Sequence, residues 1–196
     1  MRGRNPVITW IDLETSGLYF AKGHEICELA AVRVDVSGNV LASLHVHVWP
    51  IDLTKTDPEA LAKNGFDRAR SEREGVTKEE MRARLEAFLG KEVGIVAAQN
   101  AAFDLSFLPW LRPRYVLDPI SMLWARYLRG ELKALNLDEL CRAYQIESHL
   151  SRHTALGDID RCMAIYAHIT NTPRPLLGPE WDHKPANTIT TERKAG

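Results

Sequence analysis

The stretch that most constrains this chain is residues 7–18, which read Val-Ile-Thr-Trp-Ile-Asp-Leu-Glu-Thr-Ser-Gly-Leu. The first five residues are apolar, β-branched or aromatic, which is typical of a strand buried on both faces, and residues 15–17 predict a turn. Because side chains alternate along a strand, Asp12 and Glu14 point to the same side. Two carboxylates are therefore predicted to project together from the end of a buried strand.

This arrangement is costly unless something compensates the charge. Two unit charges about 4 Å apart repel by roughly 4 kcal/mol at an effective dielectric near 20. That is a large fraction of a domain's net stability of ~5–15 kcal/mol. Three outcomes are open at this point: one acid is protonated with a raised pKa, a cation lies between the two, or both extend into water beyond the strand end.

Length and composition narrow the class of protein. A chain of 196 residues fits one domain with appendages. The absence of a long apolar stretch or a signal-like N-terminus predicts a soluble, cytoplasmic protein without a membrane partner. The three widely spaced cysteines predict neither a disulfide framework nor a zinc site, so any metal would be held by oxygen, which favours Mg²⁺ or Mn²⁺.

Charge argues against a long duplex footprint, because the formal net charge is -1, but a small site for a few nucleotides is compatible with it. Residues 67–84 mix arginines with acids and predict a solvated helical surface. A second group has fewer acids among its members and supplies the better candidates for phosphate contacts: Arg112, Arg114, Arg126, Arg129 and Lys133.

Periodicity and end signals predict an α/β fold: a mixed sheet of about five strands with helices on both faces. Strands are expected over 7–11, 26–36, 40–49, 93–98 and 114–117. A short helix is expected after Pro58, and longer ones from the Thr77 cap to Gly90, from Asn100 to about 110, and over 120–129, 137–144 and 155–169. In such sheets, sites form at strand ends.

The domain is predicted to cover residues 1–170, followed by a Pro-rich C-terminal tail over 171–196. The tail is either mobile or laid across the domain, and three apolar residues could anchor it: Leu176, Leu177 and Trp181.

Asp104 is the third acid of interest. Asn100 is expected to cap its helix, and Phe103 and Phe107 share the face that would pack on the sheet. Asp104 falls in the first turn, where the helix dipole favours negative charge, so it either improves the helix end or joins a site. Asp118, at a strand end, has the same two alternatives, of which the structural one is favoured.

A fourth acid is predicted on the last long helix. If Thr154 caps that helix, Asp158 lies on its buried stripe and needs a partner. No basic residue shares the stripe, so a metal is the simplest partner, whereas Asp160 and Arg161 fall off it and are expected to be solvated. His153 precedes the cap; a lone histidine is commonly structural or exposed, but a near-neutral pKa beside a metal ligand suits it to remove a proton from water.

Three motifs together resemble the DnaQ-like (DEDDh) family of 3′→5′ exonucleases, which have an RNase H-like fold. They are Asp12-x-Glu14-Thr15, Asn100-x-x-Phe103-Asp104 and His153-x-x-x-x-Asp158, in the family's order and spacing over about residues 6–170. The resemblance implies that two divalent ions, Mg²⁺ or Mn²⁺, are held by Asp12, Glu14, Asp104 and Asp158, with Asp12 bridging them. It further implies that His153 is the general base and that nucleoside 5′-monophosphates are released.

The resemblance also bears on substrate. Thr15 and Leu18 match positions that receive the terminal nucleotide, and Phe103 matches one near the substrate. Residues 10–14 resemble oligoribonucleases, whereas residues 135–141 and 153–158 resemble DNA-proofreading and RNase T-type relatives, so the choice between DNA and RNA stays open.

The partners implied are single-stranded 3′ ends, with a second copy of the chain, or a polymerase or other protein bound through the tail, as further alternatives. Two competing functions are a catalytically silent docking module and an RNase H-type endonuclease.

Overall fold

The computed structural model describes residues 6–91, 93–178 and 190–191. A mixed sheet forms its centre, with strands β1 (Val7–Thr15), β2 (Ile26–Asp35), β3 (Val40–His47), β4 (Ile95–Ala97), β5 (Tyr115–Leu117) and the two-residue β6 (Thr190–Thr191). The strand order is β5-β4-β1-β2-β3-β6. β1 runs antiparallel to β2 and parallel to β4, which confirms the predicted mixed sheet.

The helices are α1 (Pro58–Lys63), α2 (Arg68–Glu74), α3 (Lys78–Leu89), α4 (Ala101–Phe107), α5 (Trp124–Leu128), α6 (Leu137–Tyr144) and α7 (Ala155–Thr170). They cover both faces of the sheet, because one apolar cluster joins it to α3 and α4 and a second joins it to α7. The predicted fold class is therefore confirmed. In the described part of the chain, no helix combines the length and apolar character needed to cross a membrane.

Strand β1 divides its side chains between these two clusters. Ile11 and Leu13 pack with α3 and α4, whereas Trp10 packs on the opposite face with α7. Because side chains alternate, Asp12 and Glu14 continue the Trp10 row and emerge on the side of α7. This alternation places both acids beside the helix that carries the next predicted acid.

Two predicted helix boundaries are wrong. Helix α4 ends at Phe107 and not near residue 110, because Pro109 follows and disfavours helical backbone in the residue before it. The segment 120–129 is not one helix: a 3-10 turn spans Pro119–Met122, and α5 begins after it.

The predicted Asn100 cap is also wrong. Asn100 has a left-handed backbone with φ 61°, and its side chain makes no cap hydrogen bond. The Asp118 carboxylate instead accepts hydrogen bonds from the N–H groups of Asn100 at 3.2 Å and Ala101 at 3.1 Å, and from Ile120 at 3.0 Å. Asp118 thus has the structural role that the sequence favoured, and it joins the end of β5 to the start of α4.

Helix α7 confirms one sequence prediction and corrects two. Asp158 lies on the buried stripe as expected, but Asp160 and Arg161 are buried as well and not solvated. Arg174 covers Asp160, with its guanidinium 3.2 Å from the carboxylate. The first residues of the tail therefore lie across the domain, and Arg174 covers the side of α7 that carries Asp160.

The three residues predicted to anchor the tail have different outcomes. Leu177 is buried against the α7 cluster, so it acts as an anchor, whereas Leu176 is 69% exposed and does not. Trp181 lies outside the described residues.

We expect Asp118→Ala to lower the free energy of unfolding by roughly 0.5–2 kcal/mol, the usual cost of removing a helix cap. Asn100→Gly is the matched control: glycine accepts the left-handed backbone, and the lost side chain makes no cap bond, so stability should change by only a few tenths of a kcal/mol. Urea denaturation of both variants measures the difference. A larger loss in Asn100→Gly than in Asp118→Ala would contradict the assignment of the cap.

Candidate active site

A cleft of about 360 Å³ opens at the C-terminal end of β1. Seven of the eight residues predicted for the site line it: Asp12, Glu14, Thr15, Leu18, Phe103, His153 and Asp158. These residues come from β1 and its following turn, from α4 and from the start of α7. Three segments that are far apart in sequence therefore meet at one place.

The three acids from β1 and α7 converge closely. One carboxylate oxygen from each of Asp12, Glu14 and Asp158 lies within 4.8 Å of the others. Burial, followed by the charges of Asp158 and Glu28, raises the pKa of Glu14 to about 8. Burial and four neighbouring acids raise the pKa of Asp12 well above its usual range. The water-exposed alternative for the first two acids is thereby excluded.

Asp104 lies directly behind this trio. Its side chain is only 3% exposed, and it accepts a hydrogen bond from the Leu13 backbone N–H. It falls outside the group of oxygens within 4.8 Å, yet its charge is the largest electrostatic contribution that raises the pKa of Asp12. Burial raises the pKa of Asp104 itself. The fourth acid therefore belongs to the same electrostatic unit, in a deeper position.

The first turn of α7 fixes the loop that carries the histidine. The Thr154 hydroxyl accepts a hydrogen bond from the Gly157 N–H at 3.2 Å, as the sequence predicted for a cap. A Cβ at Gly157 would lie 1.9 Å from the Ser151 carbonyl oxygen, so only glycine permits this close approach. The buried Arg161 guanidinium donates to the carbonyl oxygens of Leu150 and Ser151 at 2.8 and 3.3 Å. The loop is therefore clamped against the helix that bears Asp158.

His153 extends from this clamped loop into the cleft. Its backbone is left-handed, with φ 57°, and its side chain is half-buried. The imidazole thus lines the same cleft as the acids and stays accessible to a small molecule.

The structure corrects one inference about Asp158. Two arginines lie beside Asp158: Arg161 on the same helix, whose guanidinium is 4.0 Å from the carboxylate, and Arg152 in the preceding loop, whose guanidinium forms an ion pair with Asp158 and a second one with Asp138. Sequence periodicity missed Arg152 because it lies outside the helix and approaches Asp158 through a loop conformation. A metal is therefore not the only positive charge available to this acid.

A further acid, Glu28, lies next to the site and was not singled out by the sequence. Glu28 on β2 is buried, and its carboxylate lies 2.6 Å from the His45 imidazole and accepts the Ala155 N–H at 3.1 Å. Burial opposes its ionisation, but these hydrogen bonds hold the pKa of Glu28 below its ordinary value. The N-terminus of α7 is thereby tied to the sheet beside Glu14.

The residues predicted to bind substrate differ in what they offer. Leu18 is 61% exposed and presents an apolar side chain at the mouth of the cleft. Thr15 is buried, and its hydroxyl donates to the Gly17 carbonyl at 2.8 Å. Its side chain is therefore already hydrogen-bonded, which leaves the backbone of Thr15 to contact a bound molecule. Phe103 is half-buried against the α3 and α4 cluster while it also lines the cleft.

Four polar residues in and beside α1 that line the cleft were missed: Asp57, Glu59, Lys63 and Asn64. The Asn64 amide donates to the Thr15 carbonyl at 2.9 Å, and the Lys63 charge partly opposes the rise in the pKa of Glu14. No periodicity or motif relates α1 to the site.

This arrangement can bind a cation and handle a proton. Converging carboxylates are hard oxygen ligands, an accessible imidazole can accept a proton from water, and an apolar wall can receive a planar group.

The chain is similar to known nucleases along most of its length. A family profile described as "Exonuclease", of the RNase_T group, matches residues 9–166. Ribonuclease T of Shewanella denitrificans is 30% identical over 197 residues, covering 90% of this chain and 85% of that protein. Ribonuclease T of Salmonella typhimurium is 31% identical over 195 residues, covering 90% and 89% respectively.

Solved structures show the same fold. A zinc-bound E. coli ExoI–ssDNA complex superposes with a TM-score of 0.73 at 19% identity, covering 86% of this chain. This chain spans only 41% of the length of that structure. The matched region includes all three sequence motifs, at residues 12–15, 100–104 and 153–158. The chain therefore belongs to the DnaQ-like family of 3′→5′ exonucleases, within the RNase H-like superfamily.

Proposed function

We propose that this chain hydrolyses single-stranded or frayed DNA or RNA stepwise from the 3′ end, using two divalent ions, Mg²⁺ or Mn²⁺, and His153 as general base. The observation that carries the proposal is the convergence of three carboxylates within 4.8 Å beside a histidine in an open cleft. The relatives named ribonuclease T favour RNA, and the ExoI neighbour holds single-stranded DNA, so both sugars stay within the proposal.

The donor set fits hard cations. Asp12, Glu14 and Asp158 would hold one ion, and Asp104, next to Asp12, would complete the set for a second. All four are carboxylates, which suit Mg²⁺ and Mn²⁺ better than soft metals. Burial first, and then repulsion between neighbouring carboxylates, raises the pKa of Asp12 and of Glu14, and divalent cations would favour the ionised form of both. When bound, such ions lower the pKa of water and stabilise charge on the leaving 3′ oxygen.

The chain's own residues supply the other parts of the reaction. His153 would take the proton from the attacking water, and the support for this role is that its imidazole lines the cleft that the acids line. Leu18 and Phe103 offer an apolar wall for the terminal base, and the pinned backbone at Thr15 offers a fixed surface for its sugar. Hydrolysis of the last phosphodiester then releases a nucleoside 5′-monophosphate and a chain shortened by one.

We expect a 5′-labelled oligonucleotide to shorten as a ladder in the presence of Mg²⁺ or Mn²⁺, because hydrolysis removes one nucleotide at a time. EDTA or Asp12→Asn should abolish the ladder, since the central carboxylate is lost as a ligand. Denaturing gel electrophoresis measures the products. Activity that survives both treatments would falsify the proposed mechanism, internal cuts would indicate an endonuclease, and a protein inert on every substrate would indicate a docking module.

We expect His153→Ala to lower kcat by roughly 10²–10⁴-fold, the usual contribution of a general base. The affinity for Mn²⁺, measured by calorimetry, should stay within a factor of about two, because the carboxylates remain. His149→Ala is the matched control, since His149 is exposed and does not line the cleft, and it should leave both quantities unchanged. Parallel loss of activity and metal affinity in His153→Ala would assign this residue to the metal site instead.

We expect the metal-free protein to lose thermal stability as pH rises from about 5 to 8. The folded state holds the proton of Glu14 up to about pH 8, whereas the unfolded chain releases it near 4.5. Because the folded state binds more protons in this window, rising pH favours unfolding. Saturating Mg²⁺ should flatten the slope, because bound cations stabilise the ionised acids of the native state.

Glu14→Gln is the control for this titration. It removes one of the shifted groups, so its melting temperature should fall less with pH than that of the wild type. Differential scanning fluorimetry across the pH range measures both slopes, and an unchanged slope in Glu14→Gln would show that this carboxyl is not the source.

A further inference from the structure

Glu28 on β2 is a buried acid to which the reaction proposed above gives no part. It is only 7% exposed, and it lies directly opposite Glu14 in the antiparallel register of β1 and β2. Like charges that face each other across two strands lower the stability of a sheet. Glu28 therefore adds to the repulsion among the acids of the cleft, although it does not line the cleft itself.

One carboxylate oxygen of Glu28 contacts two other elements at once. Oε1 lies 2.6 Å from Nε2 of His45 on β3, and the same atom accepts a hydrogen bond from the Ala155 N–H at 3.1 Å. The His45 ring is half-buried, and its centroid lies 5.2 Å from that of His47. The carboxylate is therefore held on the sheet by His45 while it binds the backbone of α7.

Ala155 is the first residue of α7, so its N–H needs a partner from outside the helix. The positive end of the helix dipole also favours an anion at this place. Two side chains satisfy the first N–H groups: Thr154 accepts from Gly157, and Glu28 accepts from Ala155. Thr154 belongs to the same segment as the helix, whereas Glu28 belongs to the sheet.

The contacts that clamp the histidine loop join residues within 150–161 to one another: the Thr154 cap, the Arg161 guanidinium and the Arg152–Asp158 ion pair. They set the shape of this segment but not its position over the sheet. Apolar packing of α7 on the sheet is non-directional, whereas a hydrogen bond has a preferred distance and angle. The bond from Glu28, which spans 127 residues of sequence, joins the segment directly to the strand beside β1.

Ala155 lies two residues after His153 and three before Asp158. We propose that Glu28 is a positioning residue, which holds His153 and Asp158 in place relative to the acids of β1. The inference rests on the proposed exonuclease function and adds to it a residue that acts through the backbone of α7. Misplacing reacting groups by about 1 Å can lower a rate on the order of 10²-fold, so the loss of this bond should be measurable.

Two substitutions separate the hydrogen bonds of Glu28 from its charge. Glu28→Gln removes the charge but keeps the length of the side chain, and its amide oxygen has two lone pairs with which to accept both bonds. Glu28→Asp keeps the charge but withdraws the oxygen by about one C–C bond, roughly 1.5 Å. The shorter carboxylate cannot hold His45 and Ala155 together.

We expect Glu28→Asp, assayed as the full chain on a 5′-labelled oligonucleotide in saturating Mn²⁺, to lower kcat on the order of 10- to 100-fold with little change in KM. Its affinity for Mn²⁺, measured by calorimetry, should fall as well, because Asp158 moves with the segment. Glu28→Gln should keep both quantities near their wild-type values. Val32→Ala is the control for lost stability, since Val32 is buried on the same strand in the α7 cluster, and it should lower the melting temperature without lowering kcat.

The outcomes separate this inference from the proposed function. If the wild type is active and Glu28→Gln loses as much kcat as Glu28→Asp, or Glu28→Asp loses none, the positioning role is overturned and the exonuclease stands. An equal loss of kcat in Val32→Ala would reduce Glu28 to a contribution to stability and would also overturn the inference.

A wild type that is inert on every oligonucleotide overturns the proposed function, and calorimetry then decides the role of Glu28. Affinity for Mn²⁺ that falls in Glu28→Asp but not in Glu28→Gln supports the positioning role, and equal affinities overturn it. All variants are compared below their melting temperatures. Should Glu28→Asp not fold, Glu28→Gln decides alone: a loss of kcat overturns the inference, and a wild-type kcat supports it.

Discussion

The mutual repulsion of carboxylates at the end of β1 is the constraint on which the rest of this structure depends. Asp12 and Glu14 share one face of a buried strand, and Asp104 and Asp158 approach them from two helices. Native stability of ~5–15 kcal/mol leaves little room for such a cluster unless neighbouring groups offset it. The residues around the acids therefore have to compensate part of this repulsion, and bound cations would compensate the rest.

The compensating groups act on the periphery of the cluster and leave its centre open. In the loop before α7, Arg152 forms an ion pair with Asp158. At the end of α1, the charge of Lys63 partly opposes the rise in the pKa of Glu14. The backbone N–H of Leu13 stabilises the ionised form of Asp104. Among the described residues that line the cleft, no basic side chain forms an ion pair with Asp12, which is the acid all the others surround. The uncompensated negative charge is therefore concentrated at Asp12, where a divalent ion would be most strongly held.

The sequence predicted what depends on local periodicity and missed what depends on chain folding. Strand alternation placed Asp12 and Glu14 together, and helical spacing placed Asp158 on a buried stripe, since both follow from backbone geometry alone. Asp160 was misplaced because Arg174 returns from the tail to cover it, a contact 14 residues away that no helical period encodes. Helix α4 is likewise capped by Asp118, which follows β5 and is distant from the helix in sequence, and not by its own Asn100.

The position of His153 illustrates this division most directly. His153 belongs to a recognisable motif, but its placement comes from a loop held by three unrelated features: the Thr154 cap, the absence of a side chain at Gly157 and the guanidinium of Arg161. Each of these three features acts on the backbone of the loop. The same loop also presents Arg152 to Asp158. The loop that carries His153 and the start of the helix that carries Asp158 are thus held together by the same set of contacts.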